Sequence, residues 1–376
     1  MSSTTKLGVA VIGLGHFGGK RVQAIAADPG SRLCAVADVI GERASSVGEA
    51  NGCAHSTDWK GVLSRPDVDA VIVSTSTRSL PQIAEAALHA GKHVLCEKPF
   101  GRNAREVVPA VETAERHHLC LKVGYNHRYH PALEKAHALF QQGAIGRLHF
   151  LRCTYGHGGR AGYDQEWRTQ TEAAGGGQLL DQGVHALDLF RWFGGEFSAV
   201  KAYCSTAFWP ITPLEDNIFA LLRNAPGCVA SLHASWTNWK NTFVFEVSGE
   251  AGYLAVSGLG GHYGSERLIW GTRRELGQTP QEQHFEFPGP DQSLAREWKD
   301  FADCIRHGRI PQSDGRDGWR TLLLAESIYK DAGSGGILHG EIPATQDGTI
   351  HEMIPTHKRI EQSVPAQQHD SGENSQ

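Results

Sequence analysis

Gly8-Val9-Ala10-Val11-Ile12-Gly13-Leu14-Gly15-His16-Phe17-Gly18 is the stretch that decides the fold. Its first five residues are a short, β-branched apolar run ended by glycine, the pattern of a strand buried on both faces. Helical signal follows from Gly19 to Ala27 and stops at Asp28-Pro29-Gly30. Strand, glycine turn and helix in that order are the setting of a dinucleotide-binding fingerprint. Gly13 permits the tight turn, Gly15 lets the backbone approach a pyrophosphate, and Gly18 lets helix and strand pack closely. The helix N-terminus offers unpaired N–H groups to the phosphates. A lone glycine turn of this kind is a weak sign and needs a second element.

That element is Asp38, which ends the next strand, Leu33 to Ala37, 20 residues after Gly18. A carboxylate there accepts hydrogen bonds from the adenosine ribose hydroxyls and repels a 2′-phosphate, which favours NAD over NADP. The competing reading is a plain helix cap. Arg43 is the only nearby residue suited to NADP. Farther along, Val68 to Val73 and His93 to Cys96 read as strands, with a helix over Pro81 to Ala90 between them, closed by Gly91. Alternating strands and helices predict a doubly wound parallel sheet, a Rossmann domain over 1–125.

After about residue 125 the pattern changes. A helix is expected over Pro131 to Gln141. Longer strands follow at Leu148–Tyr155, Ala199–Phe208, Asn217–Arg223, Val229–Trp236, Phe243–Ser248 and Tyr253–Ser257. Several alternate polar and apolar residues, as a mostly antiparallel sheet with unlike faces requires. Helices are expected near Leu294–His307 and Gly315–Lys330. The fold class is therefore α/β, with a C-terminal α+β domain over 126–345. Residues 346–376, polar from about Pro355, read as a disordered tail.

The 376 residues suit two domains. A net charge of −5 without a basic block argues against nucleic acid and anionic membrane as partners. The start lacks the apolar stretch of a signal peptide, and no run of about 18 apolar residues appears, so a cytoplasmic protein is expected. The eight cysteines are dispersed without a CxxC pair and read as small hydrophobes, not as a disulfide frame or zinc site.

Two segments carry candidate chemistry. Glu97-Lys98-Pro99 follows a parallel strand, where ligands bind beyond the carboxyl end. A lysine there can hold a substrate oxygen and stabilise a forming alkoxide; alone, it reads equally as a surface lysine. In Gly175-Gly176-Gly177-Gln178-Leu179-Leu180-Asp181-Gln182-Gly183-Val184-His185, Asp181 and His185 stand four apart on one helical face. The histidine can take a hydroxyl proton, and the carboxylate can orient it or hold substrate. By spacing alone an ordinary surface pair is the simpler reading. A metal site lacks a third ligand.

Together these motifs resemble the glucose–fructose oxidoreductase/inositol dehydrogenase/MocA (Gfo/Idh/MocA) family over about residues 6–335. The resemblance rests on VAVIGLGHFG (9–18), AGKHVLCEKPF (90–100), VGYNHRYHP (123–131), GGGQLLDQGVHALDL (175–189) and the strand-rich second half. It implies a Rossmann domain joined to an α/β domain whose large open sheet commonly mediates oligomerisation, hence a homo-oligomer. It implies Lys98, Asp181 and His185 as catalytic residues. Cofactor contacts are expected at Gly13, Leu14, Gly15, Phe17, Gly18, Asp38, Thr75, Glu97 and Lys98. In the loop 74–80 many members carry Pro and His where this chain has Ser76 and Leu80. Family substrates are polyols, cyclitols, sugars and sugar nucleotides. The expected substrate residues are Lys98, Arg128, Tyr155, Trp167, Arg168, Asp181 and His185, with His157, Arg160 and Tyr163 in the same segment and Trp236 and Trp239 as aromatic candidates. The implied activity is an NAD-dependent dehydrogenase acting on a secondary hydroxyl. The alternatives are a glycoside hydrolase using transient oxidation and a non-catalytic NAD sensor.

Overall fold

The computed structural model describes residues 6–333 apart from 274 and 276. The expected tail, 346–376, lies outside the described residues. Six strands form the first sheet: β1 Leu7–Ile12, β2 Ser31–Ala37, β3 Ala54–Ser56, β4 Ala70–Val73, β5 His93–Cys96 and β6 Leu121–Val123. Their order is β3-β2-β1-β4-β5-β6, and every neighbouring pair is parallel. β1 and β4 are buried at every residue, as a sheet covered on both faces demands. The strand order reverses between β1 and β4, which opens a crevice beyond their carboxyl ends.

The second sheet has eight strands: β7 Leu148–Gly156, β8 Phe197–Ser205, β9 Asn217–Asn224, β10 Val229–Ser235, β11 Thr242–Gly249, β12 Gly252–Ser257, β13 Glu266–Thr272 and β14 Gln281–Phe287. They lie in the order β14-β13-β12-β11-β7-β10-β9-β8. β7 and β10 pair parallel, and the other pairs are antiparallel. β9 shows the unlike faces: Ile218, Ala220 and Leu222 are buried, whereas Phe219 and Leu221 are about half exposed. The buried face meets the helices Pro131–Gln141, Val184–Gly194 and Gly315–Ala332. On the exposed face Tyr203, Phe219 and His233 align across three strands, with Phe219 stacked on His233 at 4.2 Å.

The helix Ser293–His307 follows the second sheet in the chain, within the span expected for the second domain, yet it returns to the first sheet. Leu294, Trp298, Phe301 and Ala302 recur at helical spacing. The last three enter the cluster of Val9, Val11, Val22 and Ile25 beneath β1. The helix Gly315–Ala332 contacts β6, β8 and the helix Ala104–Arg116, so one apolar core runs between the sheets. Among the described residues no helix is long and apolar enough to cross a membrane.

Candidate functional site

The glycine turn is built as its residue types require. Gly13 has φ 87°, and a Cβ there would lie 2.3 Å from the Ser74 carbonyl oxygen. A Cβ on Gly18 would lie 1.9 Å from the Gly13 oxygen. Gly15 differs: a Cβ there would meet nothing within 4 Å, because it faces the crevice. Gly15 caps the helix His16–Ala26, and no side chain bonds to that helix start. Open space beside uncapped helix amides fits a pyrophosphate.

Asp38 is buried and fills two roles. Its Oδ2 accepts from Leu14 N at 2.7 Å and its Oδ1 from Ile40 N at 2.9 Å, so it ties the glycine turn to the end of β2. It also lines the crevice, with Arg43 Nη1 at 3.3 Å from Oδ2.

The crevice is one continuous cavity of about 580 Å³. One end is formed by Asp38, Val39, Arg43, Thr57 and Trp59, the middle by Gly13, Gly15, His16, Phe17 and the loop 74–77, and the far end by Glu97, Lys98, Trp167, Arg168 and Asp181. Thr75 and Ser76 line it, whereas Leu80 is buried in the core. Leu14 and Gly18 shape the turn from behind and do not reach the wall. Glu97 is held from inside, with Arg21 Nε 2.7 Å from its Oε1.

Lys98 precedes a cis peptide to Pro99. Its Nζ donates to the Asp181 carbonyl oxygen and lies 3.4 Å from Asp181 Oδ1. Arg168 Nη1 approaches the same carboxylate at 3.4 and 3.5 Å, and the Tyr163 hydroxyl at 3.5 Å. Burial pushes the Asp181 pKa up, but Lys98 and Arg168 outweigh it and hold the group below the usual aspartate range. Asp181 sits on a π-helical turn, Leu179–Gly183, that leads into the helix Val184–Gly194. Such wide turns recur at functional sites. Here the turn aims Asp181 at Lys98 and Arg168, and the expected orientation of His185 by Asp181 is not what is seen.

His185 is buried, and its Nδ1 meets no hydrogen-bond partner. Its ring stacks on His127 at 3.7 Å and 18°, with the Tyr125 ring edge-on at 6.0 Å. Burial, then the neighbouring His127 and Lys98, keep His185 well below the usual histidine range.

The remaining expected residues divide. Trp167 and Arg168 reach the cavity wall. Tyr155 lies behind it, its hydroxyl 3.1 Å from His127 Nε2. Arg128 is buried away from the wall: it donates to Asp188 at 2.8 and 2.6 Å and lies 3.2 Å from Asp317. A single arginine within the quoted motif VGYNHRYHP gives no sign of which acids, 60 and 189 residues away, it pairs with. His157 Nδ1 accepts from Gly159 N, and Arg160 pairs with Glu166. Trp236 packs with Tyr163, Ile211 and Leu214, whereas Trp239 is fully exposed. Sequence reasoning missed His16, Thr57, Trp59 and His127. His16 and His127 lay inside motifs already singled out, VAVIGLGHFG and VGYNHRYHP; Thr57 and Trp59 did not.

A parallel, doubly wound sheet, with a crevice running from Asp38 at the end of β2 to the partly buried Lys98–Asp181 pair, defines a dinucleotide-dependent oxidoreductase. The chain belongs to the Gfo/Idh/MocA family. Residues 7–125 match the oxidoreductase-family NAD-binding Rossmann fold, and residues 133–255 match the GFO/IDH/MocA C-terminal domain. The chain is 30% identical to myo-inositol 2-dehydrogenase of Thermotoga maritima over 329 residues, 86% of this chain and 95% of that one. It is 31% identical to levoglucosan dehydrogenase of Pseudarthrobacter phenanthrenivorans over 251 residues, 59% of this chain and 64% of the relative's length. A solved levoglucosan dehydrogenase in complex with NADH and L-sorbose superposes with TM-score 0.80 at 25% identity, covering 87% of this chain and 97% of that one. The N-terminal unit is thus an NAD-binding Rossmann domain, and the chain is an oxidoreductase.

Proposed function

We propose that this chain is an NAD-dependent dehydrogenase that interconverts a secondary hydroxyl and the matching ketone on a sugar, sugar derivative or cyclitol. The observation that carries this is the single cavity joining Asp38 and Gly15 to Lys98, Asp181 and Trp167. When bound, the nicotinamide accepts or delivers hydride. Lys98 Nζ holds the substrate oxygen and offsets its developing charge. His185, kept neutral by burial, takes the hydroxyl proton or returns it in the reverse direction. Asp181 fixes Lys98 and accepts a substrate hydroxyl.

The charge pattern favours a neutral ligand. Each wall carboxylate has a cation beside it: Asp38 has Arg43, Glu97 has Arg21, and Asp181 has Lys98 and Arg168. Trp167, partly exposed on the wall, offers a face to the apolar side of a sugar ring. Relatives named for levoglucosan and myo-inositol support a polyhydroxylated substrate. Asp38 at the ribose end supports NAD over NADP. The exposed apolar row of Tyr203, Phe219 and Leu221 supports a homo-oligomer formed through the second sheet.

A panel of sugars, anhydrosugars and cyclitols with NAD, read at the NADH absorbance, tests this. At least one member should give a rise. Silence across the panel, in both directions and with NADH binding intact, overturns the reading. Equal affinity for NADH and NADPH removes the Asp38 argument.

A further inference from the structure

We infer that His127 is a positioning residue for His185: its locked ring is the floor on which the reacting imidazole is held. This rests on the reading of His185 as the proton acceptor.

A catalytic histidine is usually oriented by a hydrogen bond to its second ring nitrogen. His185 lacks that bond: Nδ1 is buried without a partner, and the carboxylate four residues earlier is turned to Lys98 and Arg168. The close parallel contact that remains is the 3.7 Å stack on His127.

His127 is itself fixed on both edges. Asn126 Nδ2 donates to Ser293 Oγ at 2.7 Å, which turns the amide oxygen toward His127 Nδ1 at 3.3 Å. An amide oxygen only accepts, so Nδ1 carries the proton. In the neutral ring Nε2 then accepts from the Tyr155 hydroxyl at 3.1 Å. Burial, His130 and Lys98 all disfavour a charged His127. The groups facing His185 are therefore His127, Lys98, His130 and the edge of Tyr125, with His130 in turn 3.0 Å from Glu266. A proton taken by His185 places its charge over a neutral aromatic face, an attractive arrangement. A protonated His127 would repel it.

The test uses the full chain with NADH bound and selectively labelled histidine rings, followed by NMR across pH. In wild type the His185 ring should show one neutral tautomer. His127→Phe keeps a flat, neutral floor that, unlike an imidazole, cannot take up a competing proton as the pH falls, so the His185 titration midpoint should rise with the ring still in one orientation. His127→Ala should broaden or split the ring signals. Unchanged His185 signals and midpoint in both variants overturn the proposal. If His127→Ala fails to fold, judged by NADH binding, His127→Phe decides: an unmoved midpoint overturns it. The underlying reading fails separately, if His185→Gln turns over a sugar that wild type oxidises at the wild-type rate.

Discussion

Arg21 Nε lies 2.7 Å from Glu97 Oε1 inside the protein, and Arg21 Nη2 lies 2.7 Å from Glu297 Oε2. The helix behind the glycine turn is thereby joined to the strand end that presents Lys98, and both to the helix Ser293–His307. Arg21→Met leaves two carboxylates in the interior without their cation. Removing one partner of a buried pair costs about 3–5 kcal/mol, and urea unfolding should show a loss of that order. A loss under about 1 kcal/mol, the scale of a surface pair, would mean that the network is not coupled to folding.

Gly15 and Gly18 should respond oppositely to alanine. Gly15→Ala has room in the fold, so its melting temperature should stay near wild type while NADH affinity falls. Gly18→Ala drives a methyl into the Gly13 carbonyl and should lower the melting temperature itself. Calorimetry with NADH titration separates the two. Full affinity in Gly15→Ala would move the pyrophosphate elsewhere.

Lys98→Met should lower turnover by about 10²–10⁴-fold, the range for a positioned proton or charge donor, with NADH binding retained. The same change removes a cation that holds Asp181 down, so the Asp181 carboxyl should titrate higher in the variant. Turnover like wild type would refute the role of Lys98.

Stability should fall on acidification through the histidine range. His127 and His185 lie well below the ordinary value of 6.5, and His137, partly buried and stacked on Trp192, is pushed down to about 4. Above about pH 6.5 both folded and unfolded chains keep these rings neutral, and they contribute no slope. Below it the unfolded chain binds protons that the fold refuses, so stability drops until the folded values are reached. A melting temperature that rises between about pH 7 and pH 5 contradicts this.

Leu221→Glu places charges in the exposed apolar row of the second sheet. Light scattering should show a smaller assembly than wild type, with NADH binding intact. A wild-type protein that is already monomeric removes the interface.

The local signals were legible where chemistry and backbone geometry coincide. Gly13, Gly15 and Gly18 are legible from their spacing between a strand and a helix, with Asp38 ending the next strand, and the parallel sheet follows from short apolar runs between helices. What escaped depends on distant partners. β6 was missed because Leu121-Lys122-Val123 is three residues long with a lysine at its centre. That lysine is fully buried and satisfied by Tyr129 at 2.6 Å and Ser313 at 3.2 Å. Arg128 was assigned to substrate because Asp188 and Asp317 converge on it only in the fold. The π-turn at Asp181 left no mark distinguishable from an α-helix, so the pairing of Asp181 with Lys98 in place of His185 could not be read from a four-residue spacing.

The return of Ser293–His307 to the first sheet sets an order of events during synthesis. The N-terminal strands leave the ribosome early, but the apolar surface beneath β1 waits for Trp298, Phe301 and Ala302, made after the whole second sheet. A fragment ending near residue 125 would carry the glycine turn and an uncovered hydrophobic face together. It should aggregate unless the late helix is supplied as a separate peptide.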